Sequence, residues 1–423
     1  MTNMQHTRMK KWMREHQEEA IKLLQQMVQC ESTQGNEKGV QQLVADQLSA
    51  IGFDIDVWDI GDDDLLEHPY FYSPRRSFKE SPNVAGRLKG TGGGKSILLN
   101  GHVDVVPAGD LKQWTYPPYS GHIINGRLYG RGATDMKGGN VSLLFALMAI
   151  RALQIPLKGD VVFHSVVEEE SGGAGTLAAI LKGYTADAAI IPEPSHMKIF
   201  PIQQGSKWFR LHIKGRAAHG GTRYHGVSAI EKSTLVLSHI AALEEERNRR
   251  VTDPLFNNIP IPIPINIGKI QGGDWPSSVA DLVTMEGRLG VMPGETVMQA
   301  EKELEQWMSK LAEKDEWFKD HPVEVEWFGA RWLPGSIDSH HPLLEILKAQ
   351  YEDVLQKKPK VEAAPWGTDG GLLSQAANIP VIVFGPGTTE LAHYPNESID
   401  IAHVIEAAEI IAGTIVKWCE VAT

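Results

Sequence analysis

Apolar segments alternate with segments of helical spacing between residues 83 and 191, and this alternation constrains the fold most. The segments 96–106 and 160–167 are nearly continuous in apolar residues, whereas 136–153 has the length and spacing of a buried helix. Strands that are apolar on both faces are typical of parallel sheets covered by helices. The pattern therefore predicts an α/β domain with a mostly parallel sheet.

The sequence pattern changes in the middle of the chain. Residues 207–214 alternate in the manner of a one-sided strand, and 228–250 is a helical segment that ends in the charged run EEERNRR, interpreted as a solvated face. Two more strands, a helix and a last strand follow, and the order β-α-β-β-α-β is typical of a ferredoxin-like unit. We therefore predict a two-domain protein, with a catalytic α/β domain at 1–203 and 333–423 and an inserted α+β domain at 204–332.

The glycine-rich segment GTGGGKS at residues 90–96 lies between two predicted strands, 83–88 and 96–106. We expect these strands to pair as a hairpin through the GTGGG loop. The segment resembles a phosphate-binding loop, but Gly90 and Gly94 are separated by three residues rather than four, and a strand follows instead of a helix. The context of a nucleotide-binding loop is therefore absent.

The bulk composition argues against several classes of partner. The chain has 423 residues, which favours two domains or one domain with a large insertion. Its formal charge is -12 and it shows no basic tract, which argues against nucleic acid and anionic membranes as main partners. Two cysteines, an N-terminus without a secretory signal and a longest apolar run (141–150) too short to span a bilayer predict a cytoplasmic protein.

Histidine and carboxylate residues that could bind a metal follow the predicted strands or lie in adjoining loops. In open parallel sheets, ligands collect at the carboxyl ends of the strands. Two imidazoles with several carboxylates suit Zn²⁺, Co²⁺ or Mn²⁺, and a carboxylate that bridges two ions gives the two-metal arrangement of many hydrolases. The candidates are His102 with Asp104, Asp135, the run Glu168-Glu169-Glu170, Glu193 and His393.

Each of these signals also has a purely structural interpretation. His102 could be a histidine with satisfied hydrogen bonds at a strand end, and an acidic run is usually part of a solvated surface. The run 168–170 nevertheless follows an apolar strand and precedes the glycine loop SGGAG, which favours a site over plain surface. A glutamate that binds no metal could take the proton from the attacking water.

Six motifs occur in order along the chain: GHVDVVPAG, GRLYGRGATDMKGG, VVEEESGGAG, IPEPS, RAAHGG and HYPNESI. Together they resemble the M20 metallopeptidase family, and within it the branch that contains acetylornithine deacetylase and succinyl-diaminopimelate desuccinylase. The resemblance extends from around residue 15 to the C-terminus. It is specific for the family and much less specific for the substrate.

The resemblance implies a pair of divalent metal ions and a general base. Asp135 would bridge the two ions, Glu169 would be the base, and Asp104 would be the partner of His102. In this family the peptide bond after the bridging aspartate is typically cis, so the Asp135–Met136 bond is expected to be cis although it lacks proline. The implied ligands are His102, Asp135 and Glu193 for one ion, and Asp135, Glu170 and His393 for the other.

The resemblance also gives the inserted domain a role in dimerisation or as a lid, so we expect a homodimer. His219 in RAAHGG would reach the active site of the neighbouring subunit and stabilise the oxyanion. Asn266 and Arg288 would lie near the substrate carboxylate, and the loop WGTDGG, with Thr368 and Gly370, would line the pocket. From the residues alone, His219 could instead be a surface histidine and Arg288 a solvent-facing strand residue.

The acidic run departs from the family pattern. The family usually has Asp-Glu-Glu where this chain has Glu168-Glu169-Glu170. We assign the last two by their distance to SGG, and a shift by one residue would make Glu168 the base.

These observations predict an amidohydrolase that removes a small acyl group from an N-acyl amine or amino acid with two metal ions, Zn²⁺ first and Co²⁺ or Mn²⁺ as alternatives. Deacetylation of a substrate such as acetylornithine is the first expectation. The alternatives within the family are a desuccinylase, an aminopyrimidine N-deformylase and a dipeptidase. A metal-binding or regulatory protein with an inactive site is disfavoured because every expected ligand and the base are present. A scaffold without metals would have to bury unpaired carboxylates, which is costly.

Overall fold

The computed structural model describes residues 3–422, and these residues form two compact units. The first unit comprises the chain up to Ile202, Gly335–Ala364 and the chain from Thr368 onward. The second unit comprises Gln203–Pro334 and Pro365–Gly367. Both ends of the chain therefore contribute to the first unit, and the middle of the chain forms the second.

The strands of both units are numbered in chain order. They are β1 (Asp54–Asp59), β2 (Pro82–Leu88), β3 (Ile97–His102), β4 (His122–Ile124), β5 (Arg127–Tyr129), β6 (Val161–Val166), β7 (Ala189–Ile191), β8 (Ile199–Gln203), β9 (Gly205–Lys214), β10 (Ile265–Gly272), β11 (Leu282–Val291), β12 (Glu324–Trp332), β13 (Gly335–Ser336), β14 (Val361–Ala364), β15 (Val381–Val383) and β16 (Ser398–Asp400).

The α-helices follow the same order along the chain. They are α1 (Asn3–Glu15), α2 (Gln17–Gln29), α3 (Lys38–Ile51), α4 (Asp63–Leu66), α5 (Gly138–Ala152), α6 (Ala174–Leu181), α7 (Ala229–Arg249), α8 (Val297–Ser309), α9 (Leu311–Lys314), α10 (Trp317–Asp320), α11 (Pro342–Leu355), α12 (Gly370–Ala377) and α13 (Ile401–Trp418). Within residues 3–422, none of these helices combines the length and the apolar character that crossing a bilayer requires.

A mixed sheet with a parallel centre forms the middle of the first unit. Its strand order is β1-β2-β6-β3-β7-β15-β8-β13, and β14 pairs with β8. β3 pairs in parallel with both β6 and β7, and β7 pairs in parallel with β15, whereas β1, β2 and β8 pair antiparallel. Every residue of β3 and β6 is buried, as expected of strands in the middle of an α/β sheet. The predicted α/β class is confirmed.

The predicted hairpin around GTGGG is wrong. β2 and β3 do not pair with each other, because β6 lies between them, antiparallel to β2 and parallel to β3. The loop is held instead by the segment before β6, where Thr91 N–H donates to Leu157 O and Gly92 N–H donates to Lys158 O, both at 2.9 Å. The short loop between β2 and β3 favoured a hairpin, but β6, which is distant in sequence, lies between the two strands.

Helix α5 fixes the end of β3, where His102 lies. α5 is buried over most of its length and packs against α13, which fits its nearly uniform apolar sequence. Gly101 allows the close approach of α5, since a Cβ added there would collide with Asn140 Oδ1. Asn140 Nδ2 donates to His102 O at 2.6 Å, so the helix holds the backbone of His102 directly.

The second unit is an antiparallel sheet of β9 to β12 with the strand order β10-β11-β9-β12. The chain order β9-α7-β10-β11-α8-β12 is the predicted β-α-β-β-α-β, and the inserted ferredoxin-like fold is confirmed. Its core packs the two helices against one face of the sheet and includes Phe209, Leu211, Val236, Met285 and Leu304. Isoleucine and proline alternate over residues 259–264 and lead into β10, which is an edge strand of this sheet, where proline is tolerated.

The charged run at the end of α7 is not simply a solvated face, so that interpretation is corrected. Arg247 is fully buried. Its guanidinium donates to Glu295 Oε2 at 2.8 Å, to Gly290 O at 2.9 Å and to the Glu303 carboxylate. A buried guanidinium is tolerated only when carboxylates and carbonyls compensate it. The periodicity of the helix could not reveal these partners, because they lie on other elements.

Candidate active site

The carboxyl ends of neighbouring strands bring the predicted site residues to one edge of the first unit's sheet. His102 is the last residue of β3, and Glu169 and Glu170 begin the short 3-10 turn that follows β6. Glu193 lies two residues after the end of β7. Because β3 runs parallel to both β6 and β7, the carboxyl ends of the three strands lie at the same edge.

Asp135 lies between two imidazoles and presents one carboxylate oxygen to each. His102 Nε2 is 3.2 Å from Asp135 Oδ1, and His393 Nε2 is 3.3 Å from Asp135 Oδ2. The aspartate is placed by the irregular turn before α5, and the Asp135–Met136 peptide bond is cis, as the family resemblance implied. One carboxylate oriented in this way can bridge two ions.

Two further carboxylates complete the surroundings of the imidazoles. Glu193 Oε1 is 3.7 Å from His102 Nε2, and Glu170 Oε1 is 3.0 Å from His393 Nε2. Ligand atoms of His102, Asp135 and Glu170 lie within 4.8 Å of one another, and so do those of His102, Glu169 and Glu193. The described residues thus form overlapping groups that could hold metal ions.

Asp104 holds both His102 and the acidic turn. His102 Nδ1 is 2.9 Å from the backbone O of Asp104 and 3.7 Å from its carboxylate. A neutral imidazole that donates from Nδ1 leaves Nε2 free to bind a metal. The Asp104 carboxylate accepts from the backbone N–H of Glu169 at 3.3 Å and of Glu170 at 3.1 Å. The closest partner of the His102 ring is therefore the Asp104 carbonyl, and the Asp104 carboxylate fixes the turn that carries the glutamates.

The carboxylates of the site are buried, and their burial raises several of their pKa values. Burial raises the pKa of Glu169 and of Glu193 well above the usual range, and it raises the pKa of Asp104 to about 8. Hydrogen bonds with Asp135 and Glu170 raise the pKa of His393 to about 10. Buried carboxylates are normally paired or coordinate metals. The donor set, two imidazoles and several carboxylates, fits divalent ions such as Zn²⁺, Co²⁺ or Mn²⁺.

The sequence matches the profile of peptidase family M20/M25/M40 over residues 98–417. It is 32% identical over 433 aligned residues to an N-formyl-4-amino-5-aminomethyl-2-methylpyrimidine deformylase of Bacillus subtilis (strain 168), with 97% of each chain covered. The chain belongs to peptidase family M20/M25/M40. It is also 27% identical over 402 residues to an acetylornithine deacetylase of Proteus mirabilis (strain HI4320), with 92% of each chain covered. The predicted M20 family is confirmed, and as a member the chain is a hydrolase that acts on amide bonds.

Solved structures share the M20 fold. A dipeptidase of Saccharomyces cerevisiae matches 98% of this chain and 98% of its own with a TM-score of 0.75 at 17% identity. An M20 family metallo-carboxypeptidase of Sulfolobus solfataricus matches 95% of this chain and 99% of its own with a TM-score of 0.72 at 16% identity. At these identities the likeness shows the fold alone.

Glu168, where the M20 pattern has aspartate, is directed away from the metal-type ligands. Its backbone has φ 68°, and its carboxylate accepts from Arg75 Nε at 2.6 Å and from Ser73 Oγ at 2.6 Å. Gln34 Nε2 donates to the same carboxylate at 3.0 Å. The carboxylates that lie beside His102 are those of Glu169 and Glu170, which supports the alignment chosen from the sequence.

Glu397 and Arg131 hold the turn of Asp135, and sequence reasoning missed both. Arg131 donates to Glu397 Oε2 at 2.6 Å and to the backbone O of His393 at 3.2 Å. Glu397 Oε1 accepts from the N–H of Thr134 at 2.9 Å and of Asp135 at 3.2 Å. Both residues lie inside motifs already singled out, GRGATD and HYPNES, so their position beside a predicted ligand was the available signal.

Asp369 is a third residue whose contribution the sequence analysis missed, although it lies in the WGTDGG loop. Its Oδ2 accepts from Thr176 Oγ1 at 2.6 Å, and Thr176 Oγ1 accepts from Asn100 Nδ2 at 2.7 Å. Burial raises the pKa of Asp369 to about 6. Its charge in turn contributes to the raised pKa of Glu169 and Glu193. A carboxylate between small residues in a loop was the only signal available.

The predicted substrate-binding residues are divided between the two units. In the first unit, Thr368 and Gly370 lie at the start of α12, where Gly370 N–H donates to Thr368 Oγ1 at 3.0 Å. In the second unit, Asn266 and Arg288 are directly opposite each other on β10 and β11, and burial lowers the pKa of Arg288 to about 10. His219 is exposed, and its Nδ1 accepts from Gly221 N–H at 3.1 Å. Substrate contacts by these five residues stay predictions.

Proposed function

We propose that the chain is a two-metal deacylase that hydrolyses an N-formyl amine to formate and the free amine. The observation that carries this proposal is the position of Asp135, whose two oxygens face His102 and His393 at 3.2 and 3.3 Å. The formyl group is placed ahead of the acetyl group because the deformylase relative shares 32% identity and the deacetylase relative 27%. An acetylornithine-type deacetylase is the second candidate.

Six side chains have distinct roles in this proposal. One ion would be held by His102, Asp135 and Glu193 and the other by Asp135, Glu170 and His393, with Zn²⁺ the first expectation and Co²⁺ or Mn²⁺ as alternatives. When bound, such ions polarise the amide carbonyl and lower the pKa of the attacking water. Asp104 would keep His102 and the acidic turn in place.

Glu169 is the residue proposed to move the proton. It takes a proton from the attacking water and returns it to the nitrogen of the scissile amide, so that the C–N bond breaks and formate and the amine leave. The carboxylate lies beside His102 and Glu193, and burial raises its pKa, which suits a group that must both take and give a proton.

The second unit supplies the remaining proposed roles. We propose a cytoplasmic homodimer formed through this unit, in which His219 stabilises the oxyanion in the partner's site and Asn266 and Arg288 bind the substrate. The exposure of His219 supports a role outside its own unit. Removal of an oxyanion donor costs about 100- to 1000-fold in kcat, which is the effect expected for His219→Ala.

The test is a panel of N-formyl, N-acetyl and N-succinyl amines assayed with Zn²⁺, Co²⁺ or Mn²⁺ after removal of metal by a chelator. We expect hydrolysis of the N-formyl substrate to be lost with the chelator and restored by metal. Faster hydrolysis of acetylornithine would favour the second candidate. Absence of metal-dependent hydrolysis on every substrate would reject the proposal in favour of an inactive metal-binding protein.

The role of Glu169 is tested by Glu169→Gln, with the exposed Glu67→Gln as a matched control. The variant keeps the volume of the side chain and one acceptor oxygen but cannot take a proton. We expect metal content to remain and kcat to fall by about 100-fold or more, the range for loss of a general base. Activity close to that of the control would show that another group is the base.

A further inference from the structure

A cavity of about 990 Å³ opens in the first unit beside the candidate active site. Glu170 and Asp104 line one side of it, and Glu31 and Tyr119 lie among the other lining residues. Its volume is that of a small-molecule pocket, which is typically 300–1,000 Å³. The cavity is therefore large enough for the part of a substrate that extends from the scissile bond.

The lining of the cavity favours a ligand that is neutral or positively charged. Apolar walls come from residues such as Val105, Val106 and Pro118, and polar groups include the carboxylate of Glu31 and the hydroxyl of Tyr119. The described lining residues include three carboxylates and no lysine or arginine. An anionic ligand such as an α-amino acid carboxylate would be repelled here and would find no basic partner.

The neighbouring guanidinium does not change this charge balance. Burial raises the pKa of Tyr119, and the charge of Arg131 opposes this shift only in part. Arg131 is itself 2% exposed and donates to Glu397 Oε2 at 2.6 Å. The carboxylates of Glu31, Asp104 and Glu170 in the lining can therefore accept hydrogen bonds from a donor-rich ligand.

Hydrogen bonds hold the walls of the cavity in place without a ligand. Ser32 Oγ donates to Val103 O at 2.6 Å, and Gln29 Nε2 donates to Ser120 O at 3.2 Å. Trp114 Nε1 donates to Ala108 O at 2.9 Å, while Thr115 N–H donates to Asn396 Oδ1 at 2.6 Å. Asn396 belongs to the same loop as His393, so the cavity wall is tied to a predicted metal ligand. Such preorganisation favours a binding site over a packing defect.

We propose that this cavity binds the amine half of the substrate, a flat heterocyclic amine without a carboxylate, and that Glu31 accepts a hydrogen bond from its ring amino group. The proposal rests on the proposed deformylase function and adds the residue that selects the amine. A ring fits between the apolar walls, and an exocyclic amino group meets the Glu31 carboxylate. The amino group of a 4-aminopyrimidine is a donor of this kind.

The test compares two formylated amines, N-formyl-4-amino-5-aminomethyl-2-methylpyrimidine and N-formylbenzylamine, which lacks the ring amino group. The ratio of their kcat/KM values is measured for the wild type, Glu31→Gln, and Glu18→Gln, an exposed glutamate on α2, as control. Because glutamine offers a neutral acceptor in place of a charged one, the hydrogen bond is weakened, and the ratio should fall about tenfold in Glu31→Gln, mainly through KM of the pyrimidine. The control should keep the wild-type ratio.

Two outcomes overturn the proposal in distinguishable ways. If the wild type deformylates the pyrimidine and Glu31→Gln keeps its ratio, the cavity is not the amine site and the proposed function stands. If the wild type hydrolyses neither formyl substrate, the proposed function fails as well. As a second readout that needs no turnover, the inhibition constant of a free 4-aminopyrimidine should rise about tenfold in Glu31→Gln. An unchanged constant would also reject the assignment.

Discussion

The pair formed by Glu397 and Arg131 offers a prediction that can be worked from the structure. Glu397 and Arg131 are 1% and 2% exposed, and Arg131 donates to Glu397 Oε2 at 2.6 Å. In Glu397→Gln, the amide oxygen can still accept from Thr134 and Asp135, but the amide N–H₂ then faces the guanidinium, donor against donor. Removing one partner of a buried ion pair costs about 3–5 kcal/mol, because the remaining charge stays buried without compensation.

The same substitution should weaken metal binding. Glu397 accepts from the N–H of Asp135 at 3.2 Å, and Arg131 donates to the backbone O of His393 at 3.2 Å, so the pair positions two proposed ligands. Loss of such outer partners typically weakens metal affinity by about 10- to 100-fold. Urea unfolding gives the change in the free energy of unfolding, and titration of the chelator-treated protein with Zn²⁺ gives the change in affinity.

A matched control is available on α13. Glu409 is also largely buried, but its partners His6 and Lys10 are more exposed, with side chains 21% and 34% accessible, at 3.6 and 3.5 Å. Glu409→Gln should therefore cost only about 1 kcal/mol and leave Zn²⁺ affinity unchanged. If Glu397→Gln is as stable as this control and binds Zn²⁺ as tightly as the wild type, the reasoning about the buried pair is refuted.

Two further predictions concern the strands behind the site. In Gly101→Ala the new Cβ should collide with Asn140, which should lower the free energy of unfolding by about 1–3 kcal/mol and weaken metal binding. In Gly39→Ala, where the space around the glycine of α3 is open, the free energy of unfolding should rise by about 0.5–1 kcal/mol. Equal melting temperatures for the two variants would contradict this. Burial lowers the pKa of His164 to about 4, against roughly 6.5 when unfolded. As pH falls from 6.5 to 4, the imidazole takes up a proton in the unfolded chain before it does so in the folded protein, so the free energy of unfolding should fall by up to about 3 kcal/mol. Urea unfolding at several pH values measures this dependence, and His164→Gln should make the free energy of unfolding less dependent on pH. An unchanged slope would show that His164 is not its source.

Local patterns were enough to predict most elements of the fold. The apolar runs that became β3 and β6 and the helical spacing that became α5 and α13 are properties of short segments, and both faces of each strand are buried as expected. Strand pairing is different, because it depends on segments distant in sequence. β6 enters between β2 and β3, and no local signal in GTGGG could indicate that.

The candidate site shows the same division between local and long-range information. Ligand-type residues such as His102 and Asp135 could be named because they lie at strand ends or in glycine-rich turns. The residues that support them could not, since Arg131 and Glu397 become partners only when segments far apart in sequence fold together. Arg247 was misinterpreted for the same reason, because its carboxylate partners lie outside its own helix.

The central claim is that Asp135 bridges two metal ions, and metal stoichiometry measured by inductively coupled plasma mass spectrometry tests it most directly. Wild-type protein reloaded with Zn²⁺ after chelation should retain two ions per chain. Glu170→Ala should lose one of them, because this residue pairs with His393 at 3.0 Å and is proposed to bind only the ion that His393 holds. Asp135→Ala should lose both, because both imidazoles face its carboxylate. Retention of two ions by Asp135→Ala, or of none by the wild type, would contradict the account.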